Sequence, residues 1–353
     1  MTGAEPLWAD PAGGAAVICE PAPSAQTLAL LAATEWGSGA TRYRIPGIAE
    51  KLARLRDPAF FVHREDGTDI AVMVLDRCRK RIAGEWVPGF HFVMAATRPD
   101  RQGEGIAGRL AELVRAACEA ELPGAGFGFA YVEAGTAFSL RISDRIGHAL
   151  EAEFPLVLFS RLHPRPDPAV RPLAPGEAAE VTARLEALYA GHELTDFPLS
   201  LRPQDYLVAL RDGRIAAGLQ AEVLRWSVTA MPGAAGWLLL RALPRVPVLR
   251  RALDLSDLPV LRFGNILAEP GREADVLAVA GTALARAGAK VGLILMDRRS
   301  PVLGRLLRHG RRGLLSRAMA GSAVLRLDVA GMAPGQIRRL EAGPLHASAA
   351  DVF

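Results

Sequence analysis

Cysteine is scarce: three in 353 residues, at positions 19, 78 and 118. They form no CxxC pair and no disulfide framework, and with the scattered histidines they show no metal-ligand spacing, so no metal is expected. Long apolar runs are also missing, since no uninterrupted stretch reaches the ~18 residues that suggest a membrane span. The N-terminus, MTGAEPLWADPAGGAAVICEP, has no basic segment ahead of an apolar one and does not read as a signal peptide. A soluble cytoplasmic protein without a membrane partner is the expectation. Nor is charge of one sign in excess: 42 Lys and Arg against 38 Asp and Glu leave +4, spread over the chain. The densest basic run, LLRHGRRGLLSR around Arg308 to Arg317, carries few aromatics between its charges, and no nucleic-acid partner is expected from it.

What the chain has in quantity is apolar side chain, half of all residues. At this length two domains are favoured over one core. The segment SRLHPRPDPAVRPLAPGEAAE marks the division, with five prolines between Leu162 and Pro175 and a fresh helical pattern after Gly176. Placed near 165, it separates residues 1–165 from 166–353. The first half reads as helices at 24–35 and 46–55, then a hairpin, AFFVHRE and TDIAVMVLD, around Asp66-Gly67. GFHFVMAAT is the next strand, and Glu104 to Glu121 has the apolar spacing of a helix. GFGFAYV is a strand, Ala137 to Ile146 a helix, and FPLVLFSRL a last strand. The second half repeats this order: a hairpin around Asp212-Gly213, strand LPVLRFGNILAE, helix ADVLAVAGTALARAG, strand KVGLILM and helix PVLGRLLRHG. Five elements in one order point to an internal duplication, with two unrelated α/β domains as the alternative. The run RCRKR at Arg77 to Arg81 and the pair Asp144-Arg145 read as solvated surface.

Between strand FVMAAT and helix GIAGRLAELV lies RPDRQGEGIAGRL, Arg98 to Leu110. Consecutive backbone N–H groups ahead of a helix, with the positive end of its dipole, make an anion site suited to phosphates. Gly103 and Gly105 would admit an anion to the main chain without a Cβ in the way. No lysine follows these glycines, which excludes a nucleotide-triphosphate loop. Gly103-Glu-Gly105-Ile-Ala-Gly108 spells GxGxxG, and Glu133 falls roughly where a dinucleotide site places its ribose-binding acid. That fingerprint normally opens its domain, however, and here two helices and a hairpin come first. A purely structural loop is the third reading.

VMAATRPDRQGEGIAGRL resembles motif A of the GCN5-related N-acetyltransferases (GNATs). In that motif a strand is followed by Gln or Arg, two residues, Gly, one residue, then Gly or Ala, here Gln102, Gly105 and Ala107. The resemblance is specific over Phe90 to His148 and extends over both halves in element order. It implies an α/β (α+β) fold of tandem GNAT-like domains, each a mixed, mostly antiparallel central sheet flanked by helices. It also implies acetyl-CoA, or another acyl-CoA, as co-substrate. The pyrophosphate would lie on the amides of Gln102, Gly103, Glu104, Gly105, Ile106, Ala107 and Gly108, and the pantetheine arm along Ala95, Ala96 and Thr97. Thr136 and Ser143 complete the implied cofactor contacts. Helix 137–146, ending in DRIGHA, resembles the one whose end carries the family's YxxxGF, with Gly147 matching, Ser143 replacing the tyrosine and His148 the aromatic.

Acyl transfer from a thioester to an amine needs a neutral amine, a donor for the developing oxyanion and a proton for the departing thiolate. In this family a bulged strand amide supplies the donor. GFHFVMAA holds no carboxylate, so three other groups are the catalytic candidates. His91 has an unperturbed pKa suited to proton exchange near neutrality. Glu133 ends the adjacent strand and could draw the proton through a water. Tyr131, two residues earlier on the same strand face, could serve as acid for the thiolate. Each also has a structural reading: His91 on the strand's outer face, Glu133 as a helix cap, Tyr131 as a core aromatic. YAGHELTDFPLS lines either the acceptor cleft or a domain interface.

The second half lacks the loop. Only Gly271 precedes its helix, and Glu273, Ala274 and Asp275 fill the stretch where pyrophosphate would lie, using the helix dipole themselves and repelling phosphate. One cofactor site per chain is expected, in the first half. The function expected is an N-acyltransferase moving an acetyl or other short acyl group to an amine, a small molecule first and a protein amine second. The absence of a strongly acidic cleft signature argues against highly cationic acceptors. The alternative is a catalytically inactive GNAT-like protein that binds or senses acyl-CoA; a nicotinamide or flavin enzyme stands third.

Overall fold

The computed structural model describes residues 6–11, 13–37, 41–122, 124–148, 150–231, 233–237, 240–241, 254–309, 313, 321–348 and 351. The first half runs β1 (Trp8–Ala9), β2 (Ala15–Glu20), α1 (Ala25–Ala33), β3 (Arg42–Arg44), α2 (Ile48–Leu52), β4 (Pro58–Glu65), β5 (Thr68–Ile82), β6 (Glu85–Thr97), α3 (Ile106–Glu121), β7 (Gly126–Glu133), α4 (Ala137–Arg145) and β8 (Leu150–Ser160). The second half continues with β9 (Val170–Pro172), α5 (Ala178–Leu188), α6 (Phe197–Ser200), β10 (Tyr206–Arg211), β11 (Arg214–Ala230) and α7 (Gly233–Trp237). It ends with β12 (Leu258–Ala268), α8 (Glu273–Ala287), β13 (Val291–Leu295), α9 (Pro301–His309), β14 (Gly321–Ala330) and α10 (Pro334–Ala342). Both Asp-Gly hairpins form as expected: Asp66 and Gly67, and Asp212 and Gly213, all take positive φ, the twist that joins right-handed strands through two residues.

One sheet passes through both halves, in the order β1-β2-β4-β5-β6-β7-β14-β8-β13-β12-β11-β10-β9, with β3 pairing β11. Among the described residues its pairings are antiparallel except β6 with β7 and β12 with β13. The centre of the order carries the architecture. The closing strand of each half pairs with the strand before the closing strand of the other: β14 with β7, and β8 with β13. The two closing strands then pair with each other. The sequence reading did not include β14, although Ala323, Leu325 and Leu327 alternate into the core as a half-buried strand requires.

The helices cover the sheet on both faces. On one, α3 packs Ile106, Leu110 and Val114 against Phe61, Met73, Leu75 and Phe90. On the other, α1 and α2 set Leu30, Leu31, Ile48 and Leu52 against Val62, Val72, Val74, Met94 and Ala96. In the second half α5, α8 and α9 share one core with β10, β11 and β12. Among the described residues no helix is long and apolar enough to cross a membrane. The basic run around Arg308 to Arg317 lies largely outside the described residues.

The run Arg77 to Arg81 corrects the sequence reading, because it is not all surface. β5 continues to Ile82, and alternation turns Lys80 inward, with no exposed surface at all. A buried ammonium persists only with carboxylate partners. Lys80 Nζ finds Asp196 Oδ2 at 3.1 Å and Asp351 Oδ2 at 2.5 Å, and Arg56 reaches the same Asp196 oxygen at 3.1 Å. The segment YAGHELTDFPLS, which supplies Asp196, is thus packed between the halves.

Candidate functional site

Two backbone irregularities open a cleft in the first half. β6 and β7 pair only from Gly89–Phe127 to His91–Phe129. Beyond that point β6 continues to Thr97 and β7 to Glu133 without pairing, so the sheet splays. On its other edge β6 stays paired with β5, but the register slips between Val74–Met94 and Leu75–Phe92, leaving Val93 as a bulge. A one-residue slip sends later side chains to the opposite face. Phe90 and Phe92 therefore pack toward α3, while Met94 and Ala96 pack toward α1 and α2. The stretch Ala95, Ala96 and Thr97 forms one wall of the splay, with unpaired backbone on the side facing β7.

The glycine loop sits at the open end of that wall. Gly103 and Gly105 both take positive φ, at 90° and 77°, and Gly105 is the residue before the first helical turn of α3. No side chain caps the helix, and the amides of Gly103 to Gly108 donate to no acceptor among the described residues. A Cβ built on Gly103 would meet nothing within 4 Å. The loop is therefore an open row of donors at the positive end of a sixteen-residue helix, which suits a phosphate. Gln102 turns its amide back to the Thr97 carbonyl at 3.3 Å, tying the loop to the end of β6.

Two cations flank this row that sequence reasoning did not assign. Arg145, read as solvated surface, places Nη1 2.9 Å from where a Cβ on Gly108 would stand, while its Nε donates to Glu112 at 2.5 Å. Arg109 Nη1 lies 3.9 Å from the equivalent point on Gly105. Arg145 is reached only through the packing of α4 on α3, so no local spacing signals it. Arg101 is differently engaged: Glu65 and Glu104 hold its guanidinium at 2.7 and 2.8 Å, and Arg101 in turn holds the Glu65 carboxyl down at about 2.

The three proton-transfer candidates occupy different environments. His91 ends the paired part of β6 and is buried, its ring stacked on Phe129 at 4.6 Å. Burial pushes its pKa down to about 3, so the ring is neutral at physiological pH and a weak base. Tyr131 is buried too, edge-on to Phe154, and its hydroxyl has no hydrogen-bond partner. Burial, and then the Asp351 carboxylate, raise its pKa well above the usual phenol value, which opposes ionisation. Glu133 is the partly exposed member, at the splayed end of β7. Tyr43 of β3 donates its hydroxyl to Glu133 Oε1 at 3.1 Å, and Tyr43 stacks at 4.7 Å on Trp226 of β11. The second half thus reaches the carboxylate through one aromatic pair, which no sequence spacing indicated.

Thr136 precedes α4 and makes no side-chain cap; its amide donates to the Glu133 carbonyl at 2.9 Å. Ser143 is buried, with Oγ 2.8 Å from His148 Nδ1, and burial lowers the His148 pKa to about 4. In the second half, the place that corresponds to the glycine loop is filled by its own charges. Glu273 accepts from the Gly271 amide at 3.4 Å and pairs with Arg305 at 3.2 Å. Asp275 pairs with Arg211 at 2.7 Å. The strand edge there is occupied as well: Tyr189 and Tyr206 donate their hydroxyls to the carbonyls of Ile266 and Asn265.

No family model matches the sequence, and no curated protein matches it. Solved structures do match in fold. N-myristoyltransferase of Saccharomyces cerevisiae, with bound myristoyl-CoA, superimposes with a TM-score of 0.58 at 9% identity, covering 94% of this chain and 87% of that one. A tandem GNAT protein from the clavulanic acid biosynthesis pathway gives 0.53 at 11% identity, over 90% of this chain and 99% of that one. At such identities the likeness is one of fold.

Proposed function

We propose that this chain, whose fold is that of the tandem GNAT proteins, is an acyl-CoA-dependent N-acyltransferase with one working site, in its first half. The observation that carries the reading is the continuity of the splayed, bulged β6 with the uncapped glycine loop. Together they make a single track from an anion site to the gap between two strands. The structural neighbours support the same reading, one by its bound myristoyl-CoA and the other by its name.

In this reading the amides of Gly103 to Gly108, with Arg109 and Arg145, hold the pyrophosphate. The backbone from Thr97 to Phe92 holds the pantetheine arm and aims an amide at the thioester oxygen. The amine attacks the thioester carbon, a C–N bond forms, the C–S bond breaks, and the amine's proton must leave. Glu133, solvent-accessible and oriented by Tyr43, is the group placed to take it through a water. His91 and Tyr131 are better understood as shaping the deep end of the cleft. The acceptor is a small-molecule amine, with a protein amine as the second choice, and transfer of acetyl is the simplest case.

Calorimetric titration with CoA, followed by a thiol-release assay with acetyl-CoA over a panel of amines, tests the proposal. Binding with release supports it. Binding without release for any amine would favour a CoA-binding protein without catalysis, and absence of binding would remove the reading altogether.

A further inference from the structure

β11 changes partners at Trp226. Up to that residue it pairs with β12, Trp226 standing opposite Leu258, and from Ser227, opposite Arg44, it pairs with β3 of the first half. Tyr43, the middle residue of β3, is therefore held along both edges. Its amide and carbonyl bond to Trp36 at 3.0 and 2.8 Å, and Val228 of β11 stands opposite it on the other side. The Tyr43 ring belongs to the apolar cluster that α1 and α2 build with Met94 and Ala96 of β6, and its hydroxyl crosses to Glu133 at the end of β7. Tyr43 thus bridges the two splayed strands. Trp226 packs against that cluster and against the neighbouring one of Val228, Leu258 and Val260, with its indole stacked on the Tyr43 ring, 25° from parallel. The other three tyrosines are placed differently. Tyr189 and Tyr206 donate to main-chain carbonyls of the second half, and the Tyr131 hydroxyl meets no partner among the described residues.

We propose that Trp226 of the second half is a positioning residue for acyl transfer in the first: by holding the Tyr43 ring, it fixes the Glu133 carboxylate at the gap between β6 and β7. The inference rests on the acyl-CoA reading above, and it gives the half without a glycine loop a part in the reaction. The step served is loss of the amine's proton. As the C–N bond forms and the C–S bond breaks, that proton passes through a water to Glu133, and CoA leaves as the thiolate. Glu133 is a long, partly exposed side chain, which in water spreads over several rotamers unless a partner holds it. A hydrogen bond to Oε1 from a donor that is itself held leaves Oε2 to take the proton. The phenol is a permanent donor, since burial, and next the Glu133 carboxylate, raise its pKa above the usual phenol value. The stacked indole restrains the two torsions by which a phenol ring could swing away.

The test is a double-mutant cycle on the full-length protein, read by thiol release from acetyl-CoA with butylamine, benzylamine, glycinamide and lysine as amines. Trp226→Leu removes the flat ring and keeps an apolar side chain, and Tyr43→Phe removes only the hydroxyl. Each is expected to lower kcat by about tenfold to a hundredfold, as a displaced catalytic group does, with the KM for acetyl-CoA unchanged. Trp226→Phe, which can still stack, is expected to restore kcat to within about threefold of the native protein. In a Glu133→Gln background, Trp226→Leu is expected to cost less than about twofold more, because residues that act through one group are not additive. A loss there as large as in the native background would make Trp226 a structural residue and overturn the proposal. So would a kcat left unchanged by Trp226→Leu or by Tyr43→Phe. Should Trp226→Leu fail to fold by circular dichroism, Tyr43→Phe carries the same cycle with Glu133→Gln, and additivity there overturns the proposal as well. If CoA does not bind, or no amine releases thiol, the acyl-transfer reading fails first and this inference falls with it.

Discussion

At the scale of single residues, the proposed mechanism turns on one carboxylate and its support. Glu133 is the one proton-transfer candidate with access to solvent, and Tyr43 fixes its orientation. Glu133→Gln is expected to lower kcat/KM for the amine by roughly 10²–10⁴-fold with CoA affinity unchanged; steady-state kinetics beside a CoA titration separate the two. The buried histidines govern acid stability instead. His91 and His346 are depressed to about 3, and His148 and His192 to about 4, each by burial. A depressed pKa means that the unfolded chain takes up protons the folded chain refuses. The stability these rings provide is complete above about pH 6.5 and falls as pH drops toward 4, by about 1.4 kcal/mol per pH unit for each full proton. Asp351, lowered to about 2, adds its loss only below its unfolded value of 3.8. Urea denaturation at pH 7 and pH 5 measures the slope. His346→Phe should flatten it, since the ring packs on Tyr189 and Phe197 and its Nε2 bonds to nothing.

At the scale of elements, the strand–loop–helix unit from Glu85 to Glu121 was largely legible. Its strand, glycines and helix follow from local signals: apolar alternation, three closely spaced glycines, and apolar residues at helical spacing. The positive φ at Gly103 and Gly105 gives those glycines their reason. Gly105→Asp is expected to abolish CoA binding without unfolding the protein, because it adds a strained backbone and a carboxylate at the anion site. Circular dichroism with calorimetry reads both. Arg145→Ala should weaken CoA by about tenfold, the loss of one charge-assisted contact. Unchanged affinity would return Arg145 to the solvated role its sequence context suggests. The bulge at Val93 was not legible, since its signal is a mismatch between two strands and only pairing reveals it.

At the scale of the whole molecule, the exchange of closing strands makes the halves interdependent. A chain cut after residue 165 loses β14 and β13, leaving β7 and β8 with open edges and Phe127, Phe129 and Phe154 without their cover. Such a fragment is expected to be insoluble or aggregated, as light scattering after expression would show. The full chain should bind one CoA. The second half fills its own helix N-terminus with Glu273 and Asp275 and its strand edge with Tyr189 and Tyr206. Asp275→Gly should therefore add no second site to a titration.

The sequence by itself determined the repeated element order, both hairpins and the position of the glycine loop, because each is written in near neighbours and their spacing. It also set the asymmetry of the halves, since acidic residues at one helix start and glycines at the other are local facts. Only the tertiary structure decided which side chains meet. Lys80 sits in a basic run yet is buried, because Asp196 and Asp351 come to it from 116 and 271 residues away. Trp226 reaches Glu133 through Tyr43 because β3 leaves its own half to pair with β11. Both depend on strand pairing across the halves, where a contact is set by register and burial rather than by distance along the chain.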